Sequence, residues 1–209
     1  MSSSSKHLLH FEGGNALSAF RAQALLPRLQ AVSARITGVA PGPVHVAGGD
    51  AAPDAAAADK LASLLRYGDD YAGPAAGDAD SVLVVAMPRL GTVSPWASKA
   101  TDIAHNCGIG VRRIERVTEY RLSLKAGLLD GFRLGPGRAA ATLDTAAWQR
   151  VAARLHDRMT ESVAPSRDHA LHLFDELPAK PLQTVDVLAS GRAALETANA
   201  ELGLALADD

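Results

Sequence analysis

The sequence predicts an α/β (α+β) fold in which a small, mostly antiparallel sheet has helices on one face. Stretches near residues 6–11, 44–47, 81–87 and 111–124 have the apolar, β-branched or alternating character of strands. They alternate with segments in which apolar residues recur at helical spacing. We therefore expect a β-α-β-β-α-β connectivity, single or doubled, with a helical linker at the C-terminal end.

The N-terminal segment predicts a strand followed by a long helix. Residues 6–11 (KHLLHF) form a short strand candidate that is followed by two glycines. Asn15 is placed to cap a helix over about residues 16–36, whose apolar stripe includes Phe20. Pro27 lies inside this pattern and should kink the helix or split it.

A second strand and a second helix come next. Residues 38–43 (GVAPGP) predict a turn, because glycine and proline dominate them. Residues 44–47 (VHVA) predict a short strand, and Asp54 is placed to cap a helix that ends near residues 67–68. Residues 69–80 are rich in glycine, alanine and aspartate and predict a mobile loop.

The most informative pattern in the chain is a strand, a glycine-containing loop and a helix. The apolar run of residues 81–87 (SVLVVAM) predicts a strand buried on both faces. After Gly91, Ser94 and Pro95 have the form of a helix start, a hydroxyl cap followed by proline at the first helical position. Gly108 is placed to end this helix in a left-handed conformation.

Polar side chains gather around the start of that helix, where free backbone N–H groups and the helix dipole favour an anion. They are more numerous than capping requires, and they are Arg89, Thr92, Ser94, Lys99, Thr101 and His105. Residue types alone leave two interpretations open: an anion site, or a serine that only caps a helix whose charges are solvated. The segment lacks a phosphate-loop consensus.

The second half of the chain predicts one extended segment and then helices. Residues 111–124 predict a strand with a bulge or two paired strands, and the glycine-rich residues 126–141 predict a flexible insertion or a hairpin tip. Residues 145–163 predict an amphipathic helix that Asp144 caps and that has Met159 on its core face.

Proline then divides the chain. Pro165 ends the preceding helix, residues 166–177 predict a shorter helix, and a last helix begins at Gly191. We place an N-terminal α/β domain at residues 1–164 and the start of a helical linker domain at residues 165–209. A tail of about 30 residues is too small to be an independent domain.

The composition is that of a soluble globular protein, since 47% of the 209 residues are hydrophobic and 21% are charged. A net charge of −2 and an aromatic content of 4% argue against nucleic-acid binding. No apolar run approaches the roughly 20 residues that span a bilayer, and the first residues lack the apolar core of a secretory signal. The single cysteine fits a reducing compartment. We expect a cytoplasmic protein that binds neither nucleic acid nor membrane.

The sequence contains no complete catalytic or metal-binding set. Cys107 lies two positions after His105 on a helix, so the two side chains cannot pair directly, and a buried structural thiol is the favoured interpretation. The histidine pairs at residues 7 and 10 and at residues 169 and 172 lack a further ligand at metal-binding spacing. We therefore expect no catalytic residue, metal or cofactor in this region.

Several segments together resemble one family, the large single-chain phosphoribosylformylglycinamidine synthases, also called formylglycinamide ribotide amidotransferases. The longest and most specific is residues 88–108 (PRLGTVSPWASKATDIAHNCG). The others are residues 16–21 (ALSAFR), 64–68 (LLRYG), 155–161 (LHDRMTE) and 186–208 (DVLASGRAALETANAELGLALAD). The resemblance is to the N-terminal portion of the family and covers nearly the whole chain. This sequence departs from the family in residues 41–49 and 126–141.

The resemblance implies an activity whose catalytic groups lie outside this region. The family converts formylglycinamide ribonucleotide, ATP and glutamine to formylglycinamidine ribonucleotide in purine biosynthesis. A synthetase domain uses ATP and magnesium, and a glutaminase domain with its own cysteine releases ammonia. The N-terminal domain looks like a fused pair of a small separate subunit. It would be non-catalytic, bridge the two other domains of the same polypeptide and help complete the ammonia route.

The resemblance also changes the interpretation of the polar residues. It makes seven of them candidates to face the synthetase domain near its phosphate-bearing substrate: Arg89, Thr92, Ser94, Lys99, Thr101, His156 and Arg158. Two alternatives stay open. One is a free-standing structural or regulatory binding module of the same fold, and the other is an independent hydrolase or transferase that uses Cys107 and a distant histidine.

Overall fold

The computed structural model describes residues 7–75, 78, 80–125, 142–175 and 181–207. Its contacts divide the chain into two compact units, Met1–Glu176 and Leu177–Asp209. The first unit holds the strands and most of the helices, and the second holds the last helix. The insertion predicted for residues 126–141 lies outside the described residues.

Among the described residues, five strands form one open sheet in which every neighbouring pair is antiparallel. In chain order they are β1 (His7–Glu12), β2 (Ile36–Gly49), β3 (Ser81–Pro88), β4 (Arg113–Leu124) and β5 (Glu161–Ala164). In space the order is β1-β2-β4-β3-β5. The two longest strands, β2 and β4, are therefore neighbours in the interior of the sheet.

Each strand is followed by a helix. The helices are α1 (Ala19–Gln30), α2 (Ala55–Leu65), α3 (Pro95–Asn106), α4 (Thr145–Ala152), a 3₁₀ helix (Arg167–Phe174) and α5 (Val187–Leu202). Side-chain oxygens cap the first four, accepting the backbone N–H three residues on; the capping residues are Ser18, Asp54, Ser94 and Asp144. The last three are the predicted caps. Asn15, predicted to cap α1, instead donates to the carbonyl of Asp70 at 2.8 Å.

The four helices α1–α4 pack on one face of the sheet, and the 3₁₀ helix packs on the other. On the first face, Leu122 of β4 packs with Leu29 of α1 and with α4, and Ile114 packs with α2 and α3. On the opposite face, Val117 of β4 packs with Leu173 of the 3₁₀ helix. Side chains an odd number of positions apart on a strand point to opposite faces, so one strand contributes to both cores.

The predicted fold class is confirmed: the first unit has an α+β fold with an antiparallel sheet and the helices α1–α4 on one face. The connectivity differs in detail from β-α-β-β-α-β. Strand and helix alternate from β1 to the 3₁₀ helix, so among the described residues no two successive strands are joined by a hairpin.

β2 has 14 residues, although the sequence predicted a turn before a strand of only residues 44–47. The carbonyl groups of Pro41 and Pro43 point away from β4 and accept hydrogen bonds from the backbone N–H groups of Ala16 and Gly13. The missing N–H of each proline lies on that same side, so the β2–β4 ladder loses no hydrogen bond. The prediction of a turn was wrong because it considered only that glycine and proline dominate this segment. It did not consider that both prolines face away from β4, where a missing N–H does not weaken the ladder.

The helix predicted over residues 145–163 ends at Ala152. The chain then turns and forms β5 on the edge of β3, with Ala164 opposite Val85. Met159, predicted on the core face of the longer helix, is 77% exposed. That prediction was wrong because a distant strand edge, which helical periodicity cannot reveal, offers backbone hydrogen-bond partners to this segment.

The first helix also differs from its prediction, because it continues through Pro27 without a break and ends at Gln30. Phe20, predicted in the apolar stripe, is exposed. In the second unit, α5 begins before the predicted start at Gly191 and contains this glycine in a non-helical conformation, with φ 56°. Gly203 ends α5 in the left-handed region, with φ 62°.

Candidate functional site

Two loops enclose a cleft of about 560 Å³ at one end of β3 and β4. They are the β3–α3 loop (residues 89–94) and the α4–β5 loop (residues 153–160). The cleft is lined by residues that include Arg89, Thr92, Ser94, Trp96, Arg116 and Met159. Three of the seven sequence candidates therefore lie together here.

Hydrogen bonds fix the β3–α3 loop against its neighbours. The backbone N–H of Arg89 donates to the carbonyl of Thr160 at 3.0 Å, which joins the two loops. The Thr92 hydroxyl donates to the carbonyl of Arg89 at 2.6 Å, and the Thr92 carbonyl accepts from the guanidinium of Arg113 at 2.6 Å. The loop therefore has a defined shape, and the side chain of Arg89 is exposed on it.

The N-terminus of α3 already holds an anion, the carboxylate of Glu115. This carboxylate accepts the Ser94 hydroxyl at 3.0 Å, the Ser94 backbone N–H at 3.4 Å and the guanidinium of Arg113 at 3.1 Å. Glu115 is 0% exposed. The Ser94 hydroxyl also accepts the N–H of Ala97 at 3.0 Å. In these contacts Ser94 caps the helix, and a side chain of the protein fills the position that the helix dipole favours for an anion.

Lys99 and Thr101 do not line the cleft. The Thr101 hydroxyl accepts the backbone N–H of Ile114 at 3.0 Å, so it holds the start of β4 to α3. Lys99 lies beside a separate apolar groove of about 190 Å³ between α2 and α3. The structure therefore brings Arg89, Thr92 and Ser94 together in the cleft. It places Lys99 and Thr101 outside the cleft.

His156 and Arg158 lie in the α4–β5 loop. Nδ1 of the His156 ring donates to the carbonyl of Ala152 at 2.6 Å. This hydrogen bond holds the ring against the end of α4. Arg158 is exposed and precedes Met159, which lines the cleft. Arg158 therefore borders the cleft, and His156 is outside its lining.

Arg116 is the residue of the cleft that sequence reasoning missed. Its guanidinium lies 4.9 Å from the centre of the Trp96 ring and 3.5 Å from the Tyr67 hydroxyl. The Trp96 ring stacks at 5.4 Å on His45, which is 0% exposed and whose Nε2 lies 2.8 Å from the same hydroxyl. We call these four side chains the Arg116 stack. Residues 111–124 contain four arginines, and no local pattern distinguishes the one that faces the cleft.

Cys107 is exposed, so the prediction of a buried thiol is wrong. It is the C-cap of α3, where the chain leaves the helix and turns at Gly108 with φ 74°. His105 donates to the carbonyl of Val111 at 2.6 Å. Among the described residues, no group of three or more His, Cys, Asp or Glu side chains is placed to hold a metal ion. Nor does any helix there have the length and apolar character needed to cross a membrane.

A family model described as "Formylglycinamide ribonucleotide amidotransferase N-terminal" matches residues 43–174, more than half of the chain. The chain belongs to this amidotransferase N-terminal family. The match begins inside β2 and ends with the last residue of the 3₁₀ helix. It therefore includes both loops of the cleft and the whole Arg116 stack, and it confirms the resemblance that the sequence motifs indicated.

In this member of the amidotransferase N-terminal family, His45 should protonate only well below neutral pH. Burial lowers the pKa of His45 from 6.5 to about 4; the backbone of Phe11 opposes the shift, and the charge of Arg116 adds to it. The unfolded chain therefore takes up this proton first as the pH falls from 6.5 towards 4, and stability is lost across that window. The loss is at most about 3 kcal/mol.

An NMR titration of the ring protons measures this pKa directly, and a midpoint near 6.5 would contradict the expected burial. The matched control is His45→Gln, which has no titrating group at this position. The unfolding free energy of the wild-type chain should fall relative to that of the variant as the pH is lowered through the same window.

Proposed function

We propose that this chain is the non-catalytic N-terminal region of a phosphoribosylformylglycinamidine synthase. The complete enzyme converts formylglycinamide ribonucleotide, ATP and glutamine to formylglycinamidine ribonucleotide, ADP, phosphate and glutamate in purine biosynthesis. ATP and magnesium act in its synthetase domain, and its glutaminase domain releases ammonia. The N-terminal region bridges these two domains of the same polypeptide in the cytoplasm and supports the transfer of ammonia between them.

The observation that carries this proposal is the surface around the cleft, inside the segment that matches the family. Val93 and Met159 are 58% and 77% exposed on its rim, and the side chain of Arg89 is exposed beside them. Large exposed apolar side chains beside charged ones are typical of a surface that contacts another protein domain. A substrate site would enclose such side chains. We place Arg89, Thr92 and Arg158 at the contact with the synthetase domain.

In the full-length enzyme, Arg89→Ala should lower glutamine-dependent synthesis about tenfold, the effect expected for a charged residue central to an interface. Glutaminase activity alone should stay within about twofold, because the reacting groups for that step lie in another domain. The backbone N–H of Arg89, which makes the bond to Thr160, is kept in the variant. The measurement is the rate of formylglycinamidine ribonucleotide formation and of glutamate release in the same preparation.

The matched control for this variant is Arg21→Ala, which removes the same charge from an exposed position of α1 that does not line the cleft. It should leave both rates unchanged. Undiminished synthesis in Arg89→Ala would reject a role of the β3–α3 loop in coupling the domains.

The second candidate is a free-standing structural or regulatory module. It is favoured by the buried core that the first unit has of its own. The two functions are separated by mixing this 209-residue chain with a chain that carries only the synthetase and glutaminase domains. Binding with restored synthesis supports the bridging role, and failure of the folded chain to bind favours the module.

A further inference from the structure

We propose that the cleft is a docking site for a protein segment that presents an acidic side chain beside an apolar one. The carboxylate pairs with Arg116, and the apolar side chain packs between Val93 and Met159. This proposal rests on the proposed function, because it takes the synthetase domain as the source of the segment.

The apolar part of the site is displayed on loops that hydrogen bonds hold in place. Met159 is the most exposed of its residues, and its backbone N–H donates to the carboxylate of Asp157 at 2.8 Å. The N–H of Asp157 in turn donates to the carboxylate of Glu161 at 2.8 Å. Val93 lies on the loop whose start is bonded to Thr160. Binding of a partner over these side chains therefore has to order little of the backbone of these loops, and this favours affinity.

The charges of the cleft favour an acidic partner. Arg89 and Arg116 both line it, and within the described part of the chain neither guanidinium is paired with a carboxylate. Glu161 is the acidic residue of the lining, and one of its oxygens accepts a backbone N–H of its own loop. An approaching carboxylate thus meets two guanidiniums and one acid that is already engaged. Complementarity of this kind selects partners and steers their encounter.

Arg116 is the better receptor of the two arginines because its guanidinium is held before any partner arrives. The Trp96 ring lies beneath it, and the Tyr67 hydroxyl accepts from it. His45 contacts both of these aromatic residues from the buried side. A stacked guanidinium keeps the donors on its edge available for a carboxylate and has less side-chain freedom to lose on binding. Arginine and tryptophan in such arrangements are frequent hot spots of interfaces.

The test measures the dissociation constant between this chain and a chain that carries only the synthetase and glutaminase domains. Arg116→Glu should weaken binding at least about tenfold, and Met159→Ser by roughly fivefold. Added salt should weaken the binding of the wild-type chain more steeply than that of Arg116→Glu. Arg21→Glu makes the same charge change outside the cleft and should stay within about twofold of the wild-type chain. Matching unfolding temperatures show that the variants are folded, as expected for exposed positions.

Each outcome decides the proposal. Equal affinity of the wild-type chain, Arg116→Glu and Met159→Ser would overturn the docking site while leaving the bridging role intact. Failure of the wild-type chain to bind would overturn both. Titration with inorganic phosphate addresses a small anion as the ligand: saturable shifts of the Trp96 indole signal, lost in Arg116→Glu, would assign the site to that anion and overturn protein docking.

Discussion

Glu115→Ala should lower the free energy of unfolding by about 3–5 kcal/mol, the usual cost of removing one partner of a buried ion pair. Among the described residues, the guanidinium of Arg113 would keep the carbonyl groups of Leu173 and Thr92 as hydrogen-bond partners, and the ring of Phe174 beside it. Ser94 would lose the carboxylate that holds its hydroxyl and its N–H. The whole free energy of unfolding of a native protein is roughly 5–15 kcal/mol. The midpoint of urea unfolding at neutral pH should therefore shift by a large amount.

The control is Glu196→Ala, which removes the carboxylate of an exposed pair with Arg192 in α5. It should cost less than about 1 kcal/mol, as surface pairs do. The alanine variant at position 115 also vacates the anion position at the start of α3. Inorganic phosphate should therefore stabilise Glu115→Ala more than the wild-type chain. A destabilisation by Glu115→Ala no larger than that of the control would contradict the structural role of the carboxylate.

Arg167→Met should lower the free energy of unfolding by about 3 kcal/mol at neutral pH, the second large effect. It removes one partner of a buried carboxylate. The guanidinium of Arg167 donates to Glu119 at 2.6 Å and to Glu12 at 2.6 Å. It thereby ties the 3₁₀ helix to β4 and β1. Glu119 is nearly fully buried, and in the described part of the chain its carboxylate would keep Arg121 as a partner, at 2.8 Å.

The effect of Arg167→Met should depend on pH in a defined direction. Burial on its own raises the pKa of Glu119, but the hydrogen bonds and charges of Arg167 and Arg121 outweigh it, so the pKa is lowered below 4.5. The stability that Glu119 contributes is thus present above its unfolded pKa and is lost as the pH falls through its folded pKa. The difference between the two proteins should be largest at neutral pH and shrink on acidification.

Urea unfolding of the wild-type chain and Arg167→Met, at neutral pH and near pH 3, measures that dependence. The companion variant is Glu119→Gln, alone and combined with Arg167→Met. Because the two residues share one network, the double variant should lose less than the sum of the single losses. A loss that is additive and independent of pH would show that the guanidinium acts by packing alone.

Local signals in the sequence located the elements that begin with a capping side chain or consist of a buried apolar run. The caps of α2, α3 and α4 at Asp54, Ser94 and Asp144 are of this kind, and so is β3. The first part of β2 and the whole of β5 could not be found in this way. Both depend on a partner strand that is remote in the sequence, and a window of neighbouring residues contains no record of that partner.

The candidate site was predictable where its residues are contiguous. Arg89, Thr92 and Ser94 share one loop and reach one cleft. Lys99 and Thr101 follow in the same segment, but a helix turns by about 100° per residue, so they point elsewhere. The residues that sequence reasoning missed lie on β4, where a buried acid and a stacked arginine gain their partners only through the tertiary fold.

The position of β5 determines the order in which this unit can be completed during synthesis. β3 lies between β4 and β5, although β5 is the last strand to leave the ribosome. The contact of Glu12 with Arg167 likewise joins the first strand to the last helix of the unit. A nascent chain that has not yet reached residue 161 therefore displays an unpaired edge of β3, the kind of edge that recruits other chains. The sheet is complete only after nearly the whole unit has been synthesised. The time for which the edge of β3 stays unpaired is therefore set by the rate of translation and not by the speed of local folding.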